Sequence, residues 1–356
     1  MIRNIMASAR GFSSSVPKTF RRLVVKKLTP AFKDAVDIVH EELVRPAANE
    51  VLIKNKYVGI NASDVNVAAG RYFKEKPSVP TNIGFEAIGE VVDIGENVLN
   101  ETDLKYGQAI MYMKLGAFSE FMYLPAEEVI PINAPNPNLL PLLVSGSSAS
   151  LSLDKCGRIV PGEKVLITAA AGGTGHIAVQ WAKNAGCHVI GTCSSEEKVD
   201  FLKTIGCDRP INYKKESLDE VLHKEYPNGI DVIWEAVGGK LFPVLQKHLA
   251  IKGRLVIIGA VSQYLKENME LVMNNDLPFK LLSRSTTFSG FLLPHYLADI
   301  PHYMSLMVQQ FHEQILKTQI DDGSSLGNKF SKLEDIPKAV EYLYSGKNKG
   351  KIIVQL

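Results

Sequence analysis

Lys164–Lys183 reads KVLITAAAGGTGHIAVQWAK, and the fold turns on these twenty residues. An apolar strand centred on Val165–Thr168 runs into the pattern Ala170-x-Gly172-x-x-Gly175. An amphipathic helix follows, starting at about Thr174 and closed by Gly186. Small residues at 170, 172 and 175 permit a tight turn and let backbone approach a pyrophosphate. The helix start aims N–H groups and the positive end of its dipole at the same point. A lone glycine fingerprint is weak. Between a strand and a helix it reads as a dinucleotide-binding turn; the bland alternative is a strand-to-helix turn with no ligand.

Downstream, the strand HVIGTC, the helix EEKVDFLKTIG and the strands RPINY, GIDVIWEAV and GRLVIIGA follow in alternation. That order predicts βαβ units and a doubly wound parallel sheet, an α/β fold. A site for the unphosphorylated dinucleotide carries an acidic residue ~20 positions on, at the tip of the second strand. Here the tip is Cys193, Ser194 and Ser195, and Glu196 and Glu197 fall in the first turn of the next helix. Ser194 and Glu197 have the spacing of a capping box. Lys198, with the Ser194 hydroxyl, then stands ready for a 2′-phosphate, which favours NADPH. Tyr213, after the third strand, could flank the adenine.

Upstream, Leu23 to about Val144 holds short apolar runs broken by Gly, Pro and Asn, such as EVLIKNKYVGI, QAIMYM and GAFSEFMYLP. These predict a β-rich domain. After Phe288 the pattern turns irregular, and KGKIIVQL closes the chain as a strand, so both chain ends are expected to build one domain. The division expected is a tail over 1–22, a β-rich domain over 23–145 and 295–356, and a nucleotide domain over 146–294.

Charge and composition narrow the partners. A net charge of +2 gives no broad field for nucleic acid or an anionic membrane. No apolar run reaches the ~18 residues that span a bilayer. Cys156, Cys187, Cys193 and Cys207 include no C-x-x-C pair, so four reduced thiols are expected. The first 22 residues carry five basic residues and no acid, with a processing-like Arg10-Gly11-Phe12-Ser13. This predicts a mitochondrial transit segment, with a basic tail as the alternative.

Glu86, in TNIGFEAIGEVVDIGENV, poses a separate question, because a buried carboxylate needs a partner. The segments VGINASDVNVAAGRY, GFEAIGEVVDIGENV, ITAAAGGTGHIAVQ and GTCSSEEK, in this order, resemble the medium-chain dehydrogenase/reductase superfamily and its quinone oxidoreductase branch. The resemblance runs from about Leu23 to Leu356. It implies a Rossmann domain joined to a GroES-like catalytic domain. Zinc-dependent members have Cys where this chain has Asn61 and His where it has Phe85, and residues 90–125 contain no cysteine. Three good ligands are needed for catalytic zinc, so no metal is expected at either site. Glu86 is then expected to be structural, paired with a buried base or backbone N–H groups.

The resemblance further implies a zinc-independent, NADPH-dependent reduction of conjugated C=C bonds in lipid enones such as 15-oxoprostaglandins. Hydride would reach the β-carbon while a hydrogen bond supports the enolate oxygen. The alternatives are a quinone or alkenal reductase, or a non-catalytic NADPH-binding protein. Tyr264, in VIIGAVSQY, is the first candidate for holding the substrate oxygen, and Asn61 and Tyr72 line the cleft in this family. For the cofactor the resemblance points to Ser147, Ala170, Gly172, Thr174, Gly175, Ser194, Lys198, Tyr213, Ala236 through its backbone, Ile258, Tyr264, the loop Phe291, Leu292 and Leu293, and Asn348. Where the family often has Tyr near Ser147, this chain has Ser150. The cleft segments GRYF and FLLPHY suit a hydrocarbon tail. Dimers are common in this branch, which allows a homodimer. Relatives also point to peroxisomes, although no SKL-type ending is present, and the cytoplasm is a third destination.

Overall fold

The computed structural model describes residues 17–270 and 276–356. The transit segment expected at the N-terminus lies, up to residue 16, outside the described residues. The expected tail is shorter than 22 residues, because Thr19–Val25 is already a strand, paired antiparallel with Val36–Glu42. That partner strand has no clear apolar alternation, since its acids and His40 break the pattern, and sequence reading passed over it.

Six parallel strands form the nucleotide half. In space they run Arg209–Asn212, His188–Cys193, Lys164–Ile167, Ile230–Glu235, Leu249–Ile257 and Thr287–Gly290. The chain winds outward from Lys164–Ile167 in one direction, then returns and winds the other way. The reversal leaves a crevice at the carboxyl end of that central strand, which is where open α/β sheets bind ligands. Val165, Ile167, Val189, Val232, Trp234 and Val256 are buried in its core, as strands covered on both faces require. The last strand, Thr287–Gly290, was expected to be irregular; only four residues long and at the sheet edge, it carries too little pattern to read. The helix Ile300–His312 packs on Val144–Leu151, with Ile300, Tyr303, Met304 and Met307 in the same core as Trp181. The chain therefore still touches the nucleotide half beyond residue 295.

The β-rich half is a curled seven-stranded sheet. Its strand Lys351–Gln355 pairs antiparallel with Glu50–Gly59, so the C-terminal end is built into the N-terminal domain, as expected. The halves also meet directly. Gly350 N–H donates to Ala171 O at 2.8 Å, and Gly172 and Gly350 form a parallel bridge. Gly350 has φ +74°, and a Cβ there would overlap Gln319 O, so only glycine fits. Among the described residues no helix is long and apolar enough to cross a membrane.

Candidate active site

A cavity of about 1880 Å³ lies between the halves. Clefts for a single small molecule hold roughly 300–1,000 Å³, so this one has room for a dinucleotide and a second molecule. Its floor is the glycine turn, with Ala169, Ala171, Gly172, Gly173, Thr174 and Gly175 on the wall. Ala169 holds φ +48°, a strained conformation for a residue with a side chain, at the point where strand becomes turn. The helix Gly175–Asn184 begins there. A Cβ on Gly175 would overlap Ala169 O and lie 2.8 Å from Ala170 Cα.

His176, fully buried in the first turn, fixes this loop. Its Nδ1 lies 2.9 Å from Gly172 O and its Nε2 is 3.2 Å from the Gln319 N–H. A carbonyl can only accept and an amide N–H can only donate, so Nδ1 carries the proton and Nε2 accepts. Burial pushes the His176 pKa down to about 4, so the ring is neutral. On the far side of the turn, Glu235 accepts from the N–H groups of Val237 and Gly238, holding the bend that carries Ala236 onto the cavity wall. Burial raises its pKa.

At the adenosine end, Lys198 is buried and its Nζ donates to Gly346 O at 2.8 Å; Ser194 Oγ donates to the same oxygen at 3.3 Å. Both border the cavity with Tyr213, which is 54 % exposed. The helix Glu196–Thr204 is capped by Ser195, whose Oγ accepts from Lys198 N–H at 3.3 Å. The capping box expected from Ser194 and Glu197 is thus corrected. Ser194 turns outward to Gly346, and Glu197 reaches Lys349 at 2.6 Å. Extended backbone at Ser195 makes it the residue that enters the helix.

The other expected cofactor residues divide. Gly172, Thr174, Gly175, Ala236, Ile258, Tyr264, Phe291, Leu292, Leu293 and Asn348 border the cavity. The Asn348 amide donates to Gly350 O at 3.0 Å, bracing its own loop. Ala170 and Ser147 do not reach the wall. Ala170 sits under the turn facing Gly191, where a Cβ at 191 would approach it to 2.9 Å. Ser147 is fully buried with its Oγ unpartnered, and the helix turn sets its neighbours Ser145 and Ser148 on the cavity instead.

Against the glycine turn, where a Cβ on Gly173 would lie 3.2 Å from Lys351 Cδ, sits a buried polar network. Lys351 Nζ is 2.5 Å from Glu86 Oε1, 2.6 Å from Asn61 Oδ1 and 3.3 Å from Ser145 Oγ. Asn61 Nδ2 donates to Glu86 Oε1 at 2.9 Å, and Val144 N–H donates to Glu86 Oε2 at 2.8 Å. Glu86 therefore has both a buried base and a backbone N–H, as its sequence setting required. Asp64, beneath Asn61, accepts from its N–H at 2.8 Å, and burial raises its pKa to about 8. The alcohol dehydrogenase ancestry suggested by the sequence implies zinc here, and the donor set does not fit it. Asn61 faces an ammonium, Phe85 is a hydrocarbon, and Glu86 is neutralised by Lys351. Among the described residues no three His, Cys, Asp or Glu side chains gather for a metal.

Three tyrosines stand near this network. Tyr264 Oη accepts from Ala260 N–H at 2.9 Å, and Tyr72 Oη accepts from Asn66 Nδ2 at 3.0 Å. Tyr344 donates its proton to Ala62 O at 2.8 Å. Tyr72 and Tyr264 are also hydrogen-bonded to each other, so the pair keeps one hydroxyl hydrogen to offer, whereas that of Tyr344 is committed. Tyr72 is 43 % exposed, yet its hydroxyl end is desolvated, which pushes its pKa up and keeps the phenol protonated at neutral pH. Phe73, Phe85, Met113, Leu115, Leu293 and Met304 supply apolar wall around them.

Sequence reading missed Lys351, Ser145 and Tyr344. The signal for Lys351 was present: a lysine opening the apolar strand KIIVQL, when Glu86 already demanded a base.

Residues 47–134 match the family described as "Alcohol dehydrogenase GroES-like domain", and residues 173–309 match "Zinc-binding dehydrogenase". The chain is 44 % identical to prostaglandin reductase-3 of Mus musculus over 360 aligned residues, 99 % of this chain and 94 % of that protein. It is 41 % identical to a probable quinone oxidoreductase of Leishmania amazonensis, covering 96 % of this chain and 99 % of the other. Its fold superposes on Escherichia coli quinone oxidoreductase complexed with NADPH, with TM-score 0.80, 26 % identity, and 94 % and 100 % of the two chains covered.

Proposed function

The chain belongs to the medium-chain dehydrogenase/reductase superfamily, and from that premise we propose that it is an NADPH-dependent, zinc-independent reductase of conjugated C=C bonds in lipid enones of the 15-oxoprostaglandin type. One observation carries the reading. A single cavity joins the glycine turn and Lys198 to an apolar chamber where a hydrogen-bonded pair of phenols keeps one hydrogen to donate.

The residues fit the phosphorylated dinucleotide. The turn and the N-terminus of helix Gly175–Asn184 face the pyrophosphate position, and Lys198 with Ser194 answers a 2′-phosphate. When bound, NADPH supplies a hydride to the carbon β to the acceptor's carbonyl. The Tyr72–Tyr264 pair donates its remaining hydroxyl hydrogen to the carbonyl oxygen and stabilises the enolate charge that develops there, the second phenol supporting the donor. The apolar wall excludes water and holds the hydrocarbon tail. The proton that completes the α-carbon comes from solvent or a neighbouring acid. Lys351 and Glu86 neutralise one another, so the chamber floor carries no net charge and the conjugated carbonyl is the electron sink.

A quinone reductase is the second reading, supported by the printed name of the Leishmania relative. NADPH oxidation is followed with a 15-oxoprostaglandin, with a benzoquinone and with no acceptor. Enone turnover supports the proposal, and quinone-only turnover favours the second reading. Tight NADPH binding without turnover on either would make the chain a nucleotide-binding protein. A mitochondrial destination is proposed from the N-terminal composition and is tested by sequencing the mature N-terminus.

A further inference from the structure

Arg71 does not line the cavity, yet it touches what supports both phenols of the Tyr72–Tyr264 pair. Its Nη1 donates to Tyr264 O at 2.7 Å and to Asn66 Oδ1 at 3.1 Å. Its Nη2 donates to Lys266 O and, at 3.4 Å, to Glu267 O. Asn66 uses its other end, Nδ2, on Tyr72 Oη at 3.0 Å. One guanidinium thus takes three carbonyls of the turn that carries Tyr264 and, through one amide, steers Tyr72.

The turn hangs between the two halves. Val261 and Ser262 N–H donate to Ala236 O and Val237 O in the nucleotide half, each at 3.0 Å. The Tyr264 ring packs in the core of the β-rich half. At its far end the carbonyls of 264, 266 and 267 go to Arg71. A planar fork with five donors suits several carbonyls in one plane; a lysine ammonium is a point charge that does not.

We infer that Arg71 is a positioning residue: it ties the Tyr264 turn to the Tyr72 segment and so holds together the hydrogen-bonded pair of phenols whose remaining hydroxyl hydrogen holds the acceptor's carbonyl. The assignment rests on the proposed enone reduction. Misplacement of about 1 Å at a reacting centre costs up to ~100-fold in rate. Arg71 acts at the acceptor end only; the glycine turn, Lys198 and His176 lie elsewhere and keep their contacts without it.

The test uses the full chain. In Arg71→Ala, kcat/KM for the enone falls on the order of ten- to a hundredfold, while NADPH affinity, read by quenching of protein fluorescence, changes far less. Arg71→Lys restores only part of the loss. In a Tyr264→Phe background the Arg71→Ala effect shrinks, because both changes remove one interaction. Wild-type turnover in Arg71→Ala, an equal loss in NADPH affinity, full restoration by lysine, or simple additivity would each overturn the assignment. If the wild type turns over no acceptor, the proposed function fails by itself. The tie is then read by amide hydrogen exchange over residues 261–267, in Arg71→Lys should the alanine variant not fold. Faster exchange there supports the tie, and unchanged exchange removes it.

Discussion

Lys351 and Glu86 bury opposite charges with 1 % and 0 % side-chain exposure. Removing one member of such a pair strands the other. Lys351→Met is therefore expected to destabilise the fold by about 3–5 kcal/mol, read by denaturant unfolding, and the double variant Glu86→Gln, Lys351→Met should regain much of that. A single variant as stable as wild type would show that the pair contributes nothing. Asp64 and His176 set the pH dependence. Folded Asp64 keeps its proton to about pH 8, whereas the unfolded chain releases it near 3.8, so its contribution falls as pH rises between them. Folded His176 resists protonation to about pH 4 while the unfolded chain takes a proton near 6.5, so its contribution falls as pH drops through that window. The two oppose each other up to 6.5; above it Asp64 acts alone. Stability should decline by about 2 kcal/mol between pH 6.5 and 8, and Asp64→Asn should flatten that limb. Lys198→Ala should weaken NADPH far more than NADH in a binding titration, and an equal loss would remove its role at the 2′-phosphate. At this scale much was legible. Asn61, Tyr72, Tyr264 and Lys198 reach the cavity; Tyr264 and Lys198 follow strands that could be read, whereas only the family resemblance points to Asn61 and Tyr72. Ser147 and Ala170 lie off the cavity wall because adjacent small residues on a helix or turn differ only in which way they point, and sequence does not encode that without the packing.

The glycine turn and its helix are the element on which cofactor binding rests. A Cβ at position 175 meets backbone of Ala169 and Ala170, which cannot rotate away. Gly175→Ala should cost about 1–3 kcal/mol of stability through overpacking and abolish tight NADPH binding in the same titration; an alanine variant that binds normally would show that the turn can relax. The parallel strands were readable because each is an apolar run bounded by Gly, Pro or a helix. Val36–Glu42 and Thr287–Gly290 were not, one being half polar and the other four residues long. The cap of helix Glu196–Thr204 moved by one residue because consecutive serines offer the same hydroxyl, and only the backbone angle at Ser195 selects between them.

The whole molecule is two halves closed over one cavity, with an exposed apolar margin. Phe279 and Leu282 on the helix Leu277–Arg284 are 69 % and 77 % exposed, and that helix leads into strand Thr287–Gly290, which among the described residues is the edge of its sheet. If the chain pairs with a second copy, this edge offers unpaired backbone and apolar cover for it. Light scattering is expected to give the mass of two chains, and Leu282→Asp should return one; a wild-type mass of one chain would remove the dimer. The return of the chain end into the first domain was legible because KIIVQL is plainly a strand, but its role was not. Gly346 accepts from Lys198, and five residues later Lys351 reaches Glu86, so one short run of backbone ties the adenosine end of the cleft to the buried ion pair. A nucleotide half expressed alone would keep its glycine loop but lose that link. Its preference between phosphorylated and unphosphorylated nicotinamides would then report on the fragment and mislead about the parent enzyme. Likewise, trimming the final residues to ease crystallisation would remove a cation from the floor of the reaction chamber.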